Sequence, residues 1–249
     1  MIRSGSTLQY QITKAIVEET NNGKALGWVD GENINEIITN NIDKTYIKIV
    51  KSHSYLPQFD MLKNVRYVYS YRDIRDVAVS QMNKYKKKYK DLNITGLVLN
   101  LIETNRSWIK MENILISRYE IFRNNIYEET NKIAAFLGIN ISEELTLQIS
   151  NDLTIEKQIE KIKKLKNNKH SDVFKYQHNT VDRRTLLHDN HIHKGQINAY
   201  KEQLSFFEIA HIEFIGYQWL KENNYKLQLP YTISFILGNF YKIYRKLHV

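Results

Sequence analysis

Val65-Arg66-Tyr67-Val68-Tyr69-Ser70-Tyr71-Arg72-Asp73-Ile74-Arg75-Asp76-Val77-Ala78-Val79-Ser80 changes its period in mid-course. Residues 65–69 are a β-branched and aromatic run of strand length, and Ile74 opens a segment of helical character. Arg72 therefore falls at the strand end, with Asp73 or Asp76 serving the first turn of the helix. Ser80 lies about two helical turns further on and faces back towards the arginine's side. An arginine and a serine so placed can hold one phosphate by charge-assisted hydrogen bonds. A purely structural ion pair between Arg72 and Asp76 accounts for the same residues.

Two more runs of strand length, 46–50 and 114–116, sit among helical segments at 8–20, 74–89, 97–111, 121–137, 143–166 and 206–222. Strands alternating with helices predict an α/β fold, a three-layer sandwich with a central parallel sheet covered on both faces. Gly138 reads as the residue that ends helix 121–137. No Pro-, Gly- or Ser-rich linker and no internal repeat divides the 249 residues, so a single domain over 1–249 is expected.

The chain is 42% hydrophobic and 25% charged, which excludes a disordered or fibrous class. Its longest apolar run, 231–240, is about half of what a bilayer span needs. The first residues have no apolar leader segment. Zero cysteines exclude disulfides, thiolate zinc sites and cysteine nucleophiles, and suit a reducing, cytoplasmic setting. The net charge of +9 favours anionic partners, although the sequence is rich in lysine throughout. Two lysine clusters, 84–90 and 161–166, read either as solvated helix faces or, where tyrosines interleave, as a track for a nucleic-acid backbone.

Arg3-Ser4-Gly5-Ser6-Thr7 runs straight into a helical segment. A small-residue loop there brings backbone N–H groups and the hydroxyls of Ser4, Ser6 and Thr7 to an anion, helped by the helix dipole. It lacks the G-x-x-x-x-G-K-[ST] spacing of nucleotide triphosphatases, and a capped helix start explains it equally well. Lys51-Ser52-His53 follows the 46–50 strand. His53 then sits at a strand's C-terminal end, where open parallel sheets bind ligands, and can take a proton from a hydroxyl.

Together these segments resemble the PAPS-dependent sulfotransferase family, PAPS being 3′-phosphoadenosine 5′-phosphosulfate. Arg3 to Thr7 resembles the family's 5′-phosphosulfate loop, P-[KR]-S-G-[ST]-T. Lys51-Ser52-His53 is similar to its K-x-H segment, whose histidine is the catalytic base. Arg72 to Ser80 resembles the 3′-phosphate motif R-x-x-[RK]-D-V-x-x-S. Tyr119-Glu120 looks like the pair whose tyrosine reaches the adenine. Residues 193–201 resemble the closing element R-K-G-x-x-G-x-W-K, which sets Lys194 and Gly195 over the 3′-phosphate. The five segments stand in the family's order.

The chain departs from that pattern in places. Leu8 replaces an adenine-stacking tryptophan, His193 an arginine, Asn198 the second glycine and Tyr200 a tryptophan. Only Met1 and Ile2 precede Arg3, so the strand that feeds the loop in the family is expected to be missing or truncated.

The resemblance implies sulfuryl transfer from PAPS to an acceptor hydroxyl, leaving PAP, by in-line displacement without a required metal. Arg3 and the loop would take the charge on the departing phosphate, His53 the proton, and Lys51 would orient the sulfonate. Arg72, Ser80, Lys194 and Gly195 would hold the 3′-phosphate. Polar and aromatic residues at 54–61, 85–93 and 173–190 suit a hydroxyl-rich acceptor such as a glycan; no nucleic-acid partner and no transmembrane segment are expected. Three alternatives stay open: an inactive nucleotide-binding relative, a P-loop kinase of a small hydroxyl compound, and a basic nucleic-acid-binding protein.

Overall fold

A period of about 3.6 in the apolar residues, broken by short β-branched runs, yields an α/β chain. In the computed structural model, which describes residues 1–40, 46–165, 172–176, 179–189 and 195–248, residues 1–5 turn directly into α1 (Ser6–Glu19). There follow β1 (Gly23–Trp28), α2 (Ile34–Asn40), β2 (Ile47–Lys51), β3 (Tyr67–Tyr71), α3 (Ile74–Tyr85) and α4 (Ile94–Trp108). Next come β4 (Ile114–Arg118), α5 (Tyr119–Phe122), α6 (Ile126–Leu137), α7 (Glu143–Asp152) and α8 (Ile155–Leu165). A hairpin, β5 (Val173–Tyr176) and β6 (Asn179–Asp182), precedes α9 (Tyr200–Gln203), α10 (Phe206–Glu222) and α11 (Tyr231–His248).

The described strands pair two by two: β1 with β2 in parallel, β3 with β4, and β5 with β6 antiparallel. The α/β class is as expected, with small sheets. Two predicted helices are divided. Segment 121–137 breaks at Arg123, and Asn125 caps α6 by accepting from the Glu128 N–H at 3.2 Å. Segment 143–166 breaks after Asp152, where Leu153 leaves helical geometry. Helix 74–89 stops early because Lys86 takes a left-handed φ of 53°. Gly138 ends α6 as expected, with φ 70° and the Ile139 N–H reaching back to the Ala134 carbonyl.

The chain divides into two compact units. One is made of Met1–Ser4, Tyr71–Ser107 and His193–Val249. Here α10 packs on α3 and α11, and Trp219 is buried, donating its indole N–H to Asn105 Oδ1 at 2.8 Å. The other unit is Gly5–Ser70 and Trp108–Ile192. Its core gathers Ile12, Ile16 and Val17 of α1, Ile49 of β2, Ile133 and Leu137 of α6, and Ile149 of α7. Burial of such side chains, worth about 1.5–3 kcal/mol each, fixes α1 against the strand that ends in Lys51.

Candidate functional site

Within the second unit, Gly5 has φ 82° and ψ 13° and precedes α1 with no side-chain hydrogen bond capping the helix. The first N–H groups of a helix lack intrahelical acceptors and carry the positive end of its dipole, so they suit an anion. Glycine is required twice over. The left-handed backbone disfavours a Cβ, and one placed there would meet Tyr119 Cδ2 at 2.7 Å and Phe122 Cζ at 2.8 Å. Tyr119 is buried, its ring edge-on to Phe122 at 5.7 Å. Ser6 is the first residue of α1, and Leu8 packs on the core cluster.

Thr7 is tied to the end of β2. Lys51, buried, donates from Nζ to Thr7 Oγ1 at 2.5 Å and stands 6.0 Å from the centre of the Trp28 ring. His53 meets the same indole edge-on at 4.9 Å. Trp28 ends β1, and the parallel register pairs it with Lys51, which is why one ring serves both residues. The sequence reading missed Trp28. Its strand, Gly-Lys-Ala-Leu-Gly-Trp, has few β-formers, and only its pairing with β2 reveals it.

Within the first unit, a second group forms around Arg3, whose φ is 57°. Its Nε donates to Ser80 Oγ at 2.8 Å, while Arg72 Nη1 donates to the Arg3 carbonyl at 3.4 Å. Arg72 Nη2 donates to the Gln196 carbonyl at 2.6 Å and to Asp76 Oδ2 at 3.3 Å. Both readings of Arg72 are therefore present, the ion pair and the position at the strand end. Arg3, expected at the 5′-phosphosulfate, is thus bonded to Ser80, expected at the 3′-phosphate. Ser4 is fully buried and donates to the Met1 carbonyl at 2.5 Å.

Asp76 joins this group to the turn that follows Gly195. It accepts from the N–H groups of Asn198 at 2.9 Å and Tyr200 at 3.1 Å. Burial pushes its pKa up, against the pull of Arg72 and those two N–H groups. Gly195 and Asn198 have φ of 60° and 62°. Asparagine tolerates the left-handed region, so Asn198 substitutes for the glycine at small cost. His193 and Lys194 lie outside the described residues.

Arg75 serves the fold. It donates to Asp73 through Nη2 at 2.6 Å, to Glu213 through Nη1 at 2.5 Å and to the Lys226 carbonyl at 3.1 Å. Its guanidinium lies 4.2 Å from the centre of the Tyr200 ring. The tyrosine at the family's tryptophan position thus covers a buried ion cluster.

Residues 1–224 match the family described as "Sulfotransferase domain". The chain belongs to the sulfotransferase domain family. Among solved structures, a mouse sulfotransferase, SULT7A1, complexed with PAP is similar at 15% identity and a TM-score of 0.64, over 97% of this chain and 86% of that one. Retinol dehydratase in complex with androsterone and inactive cofactor PAP is similar at 22% identity and 0.59, over 92% and 80%. Its complex with retinol and PAP gives 22% and 0.58, over 93% and 81%. At these identities the likeness is one of fold. No curated protein matches the sequence. Among the described residues, no helix of this sulfotransferase is long and apolar enough to cross a membrane.

Proposed function

We propose that this sulfotransferase moves a sulfuryl group from PAPS to a hydroxyl of a polar acceptor, with a saccharide the class its loops suit. The observation that carries the reading is the Lys51–Thr7 hydrogen bond at 2.5 Å. It fastens the segment bearing His53 to the first turn of α1, a helix start that no side chain caps. That start fits the 5′-phosphosulfate, with the N–H groups of Gly5, Ser6 and Thr7 and the Ser6 hydroxyl as donors. PAPS supplies the sulfuryl group on a phosphosulfate anhydride. In this reading Arg3, with Ser4 shaping the turn, faces the phosphate charge, and Lys51 orients the sulfonate. Arg72, Ser80, Lys194 and Gly195 take the 3′-phosphate, and Tyr119 borders the adenine. With Arg3, Lys51 and Arg72 as cations the proposal calls for no metal.

His53 Nε2 or Nδ1 takes the acceptor hydroxyl's proton, and the Trp28 ring at 4.9 Å limits how the imidazole can turn. The match over residues 1–224 supports treating 1–249 as one sulfotransferase domain, and the cysteine-free sequence suits a cytoplasmic setting. The lean towards a polar acceptor is supported by the polar and aromatic residues of 54–61, 85–93 and 173–190, among them Tyr55, which bonds to Asp60. His53→Ala should lower turnover by about 10²–10⁴-fold while PAP affinity by calorimetry stays nearly unchanged. Comparable loss of both would remove His53 from the role of base.

A further inference from the structure

Two features of the sequence have no place among the PAPS contacts proposed above: the apolar run 231–240 and the lysine cluster 84–90. The fold sets them side by side. The apolar run becomes the first half of α11, which lies antiparallel to α10. Tyr231 meets Tyr217 at 4.1 Å, Phe235 meets Phe214 at 5.4 Å, and Tyr241 meets His211 at 5.0 Å. The inner side of α11 is closed by Ser234 and Gly238, where a Cβ would come within 2.6 Å of Phe214 Cβ. Its outer side is apolar and open. Ile236, Phe240 and Ile243, one and two turns apart on a single face, are 60%, 72% and 59% exposed. Phe206 and Phe207, both more than half exposed, begin α10 and so stand at the carboxyl end of α11.

The lysines reach the same place through Tyr89. Its buried ring packs on Tyr241 at 5.6 Å, and its hydroxyl bonds His211 Nδ1 at 2.8 Å. Lys86, Lys87, Lys88 and Lys90, all exposed, are thereby held beside the carboxyl half of α11. The outer face itself carries no acid between Tyr231 and Ile243. The acids that adjoin the lysine cluster and Phe206-Phe207 in sequence are Asp91, bonded to the Lys88 N–H, and Glu208, bonded to Ser205.

We propose that the outer face of α11, with the flanking lysines, docks this protein on an anionic phospholipid surface. A helix with an open apolar stripe, bordered by cations and too short in its apolar run to span, lies in the interfacial plane. Its Ile and Phe side chains enter the acyl boundary while the lysines meet lipid phosphates. Charge selects this occupant over a second copy of the chain, because pairing two such faces would bring like charges together.

The test is flotation of the full chain with vesicles of phosphatidylcholine containing about 30% phosphatidylglycerol, beside pure phosphatidylcholine. Binding to the anionic vesicles only, weakened by salt, is expected. The triple variant I236S, F240S, I243S should bind about a hundredfold more weakly, since it removes the apolar anchor. K86A with K87A should cost about thirtyfold. All these positions are exposed, and unchanged circular dichroism and PAP affinity will show that the variants fold. Wild-type protein that binds neither vesicle, or both equally, overturns the proposal. So does a dimer in sedimentation velocity that the triple variant dissociates, which would make the face a self-interface. None of these readouts depends on sulfuryl transfer, so the docking proposal and the catalytic one can fail separately.

Discussion

Gly5→Ala is the substitution for which the structure gives the most definite magnitude. At φ 82° an L-residue costs about 1–2 kcal/mol, lowered by about 0.4–1 kcal/mol through the stiffer unfolded chain. The new methyl would then lie 2.7 Å from Tyr119 Cδ2 and 2.8 Å from Phe122 Cζ. Both rings are buried and have little room to withdraw, and overpacking of this kind costs about 1–3 kcal/mol. The net loss should be about 2–4 kcal/mol, read from urea denaturation at constant m, with a fall in Tm of about 5–15 °C. Phe122→Leu removes one of the two clashing atoms. The double variant should therefore be more stable than the sum of the singles by about 1 kcal/mol. A loss below about 1 kcal/mol for Gly5→Ala, or strict additivity in the cycle, would refute the close approach of these rings to the loop.

Two further substitutions probe the ion cluster and its cover. Glu213→Ala leaves Arg75 Nη1 and the N–H groups of Gln228 and Leu229 without their carboxylate, and should cost about 3–5 kcal/mol in urea. A loss under about 1 kcal/mol would show the cluster to be dispensable. Tyr200 has its pKa raised from 10.0 to about 12, by burial first, with Arg75 opposing. The folded state then holds the phenolic proton where the unfolded chain releases it. This stabilisation is present in full below pH 10 and is lost between pH 10 and about 12. Tyr200→Phe should flatten the decline in urea midpoint over that window; an unchanged slope would contradict the assignment.

Residues 65–80 were readable because three signals coincide there: a period of two, a break at Arg72-Asp73, and a period of about 3.6. The structure bears out the strand and the helix start, with Asp73 accepting from the Arg75 N–H at 2.9 Å. The spacing of Arg72 and Ser80 was also legible, but not that Arg3 would fill the distance between them. A left-handed arginine in a turn has no sequence signature, and its bond to Ser80 spans 77 positions. Trp28 stayed hidden for a similar reason: the register with β2, not local propensity, places its ring against Lys51 and His53. The helix breaks at Arg123 and Leu153 occur without proline or glycine. They follow from capping by Asn125 and from Leu153 turning into the core. Helix α11 read only as an apolar run because its inner side uses Ser234 and Gly238 for close packing instead of large apolar residues.

The central claim is a site that distinguishes a 3′-phosphorylated nucleotide. Calorimetric titration of the protein with PAP, beside ADP and in magnesium-free buffer, tests it directly. PAP should bind at least about tenfold more tightly than ADP, through charge-assisted bonds to Arg72 and Ser80. Arg72→Ala should erase most of that preference while leaving ADP affinity nearly unchanged. Equal affinity of the wild-type protein for PAP and ADP would contradict the account.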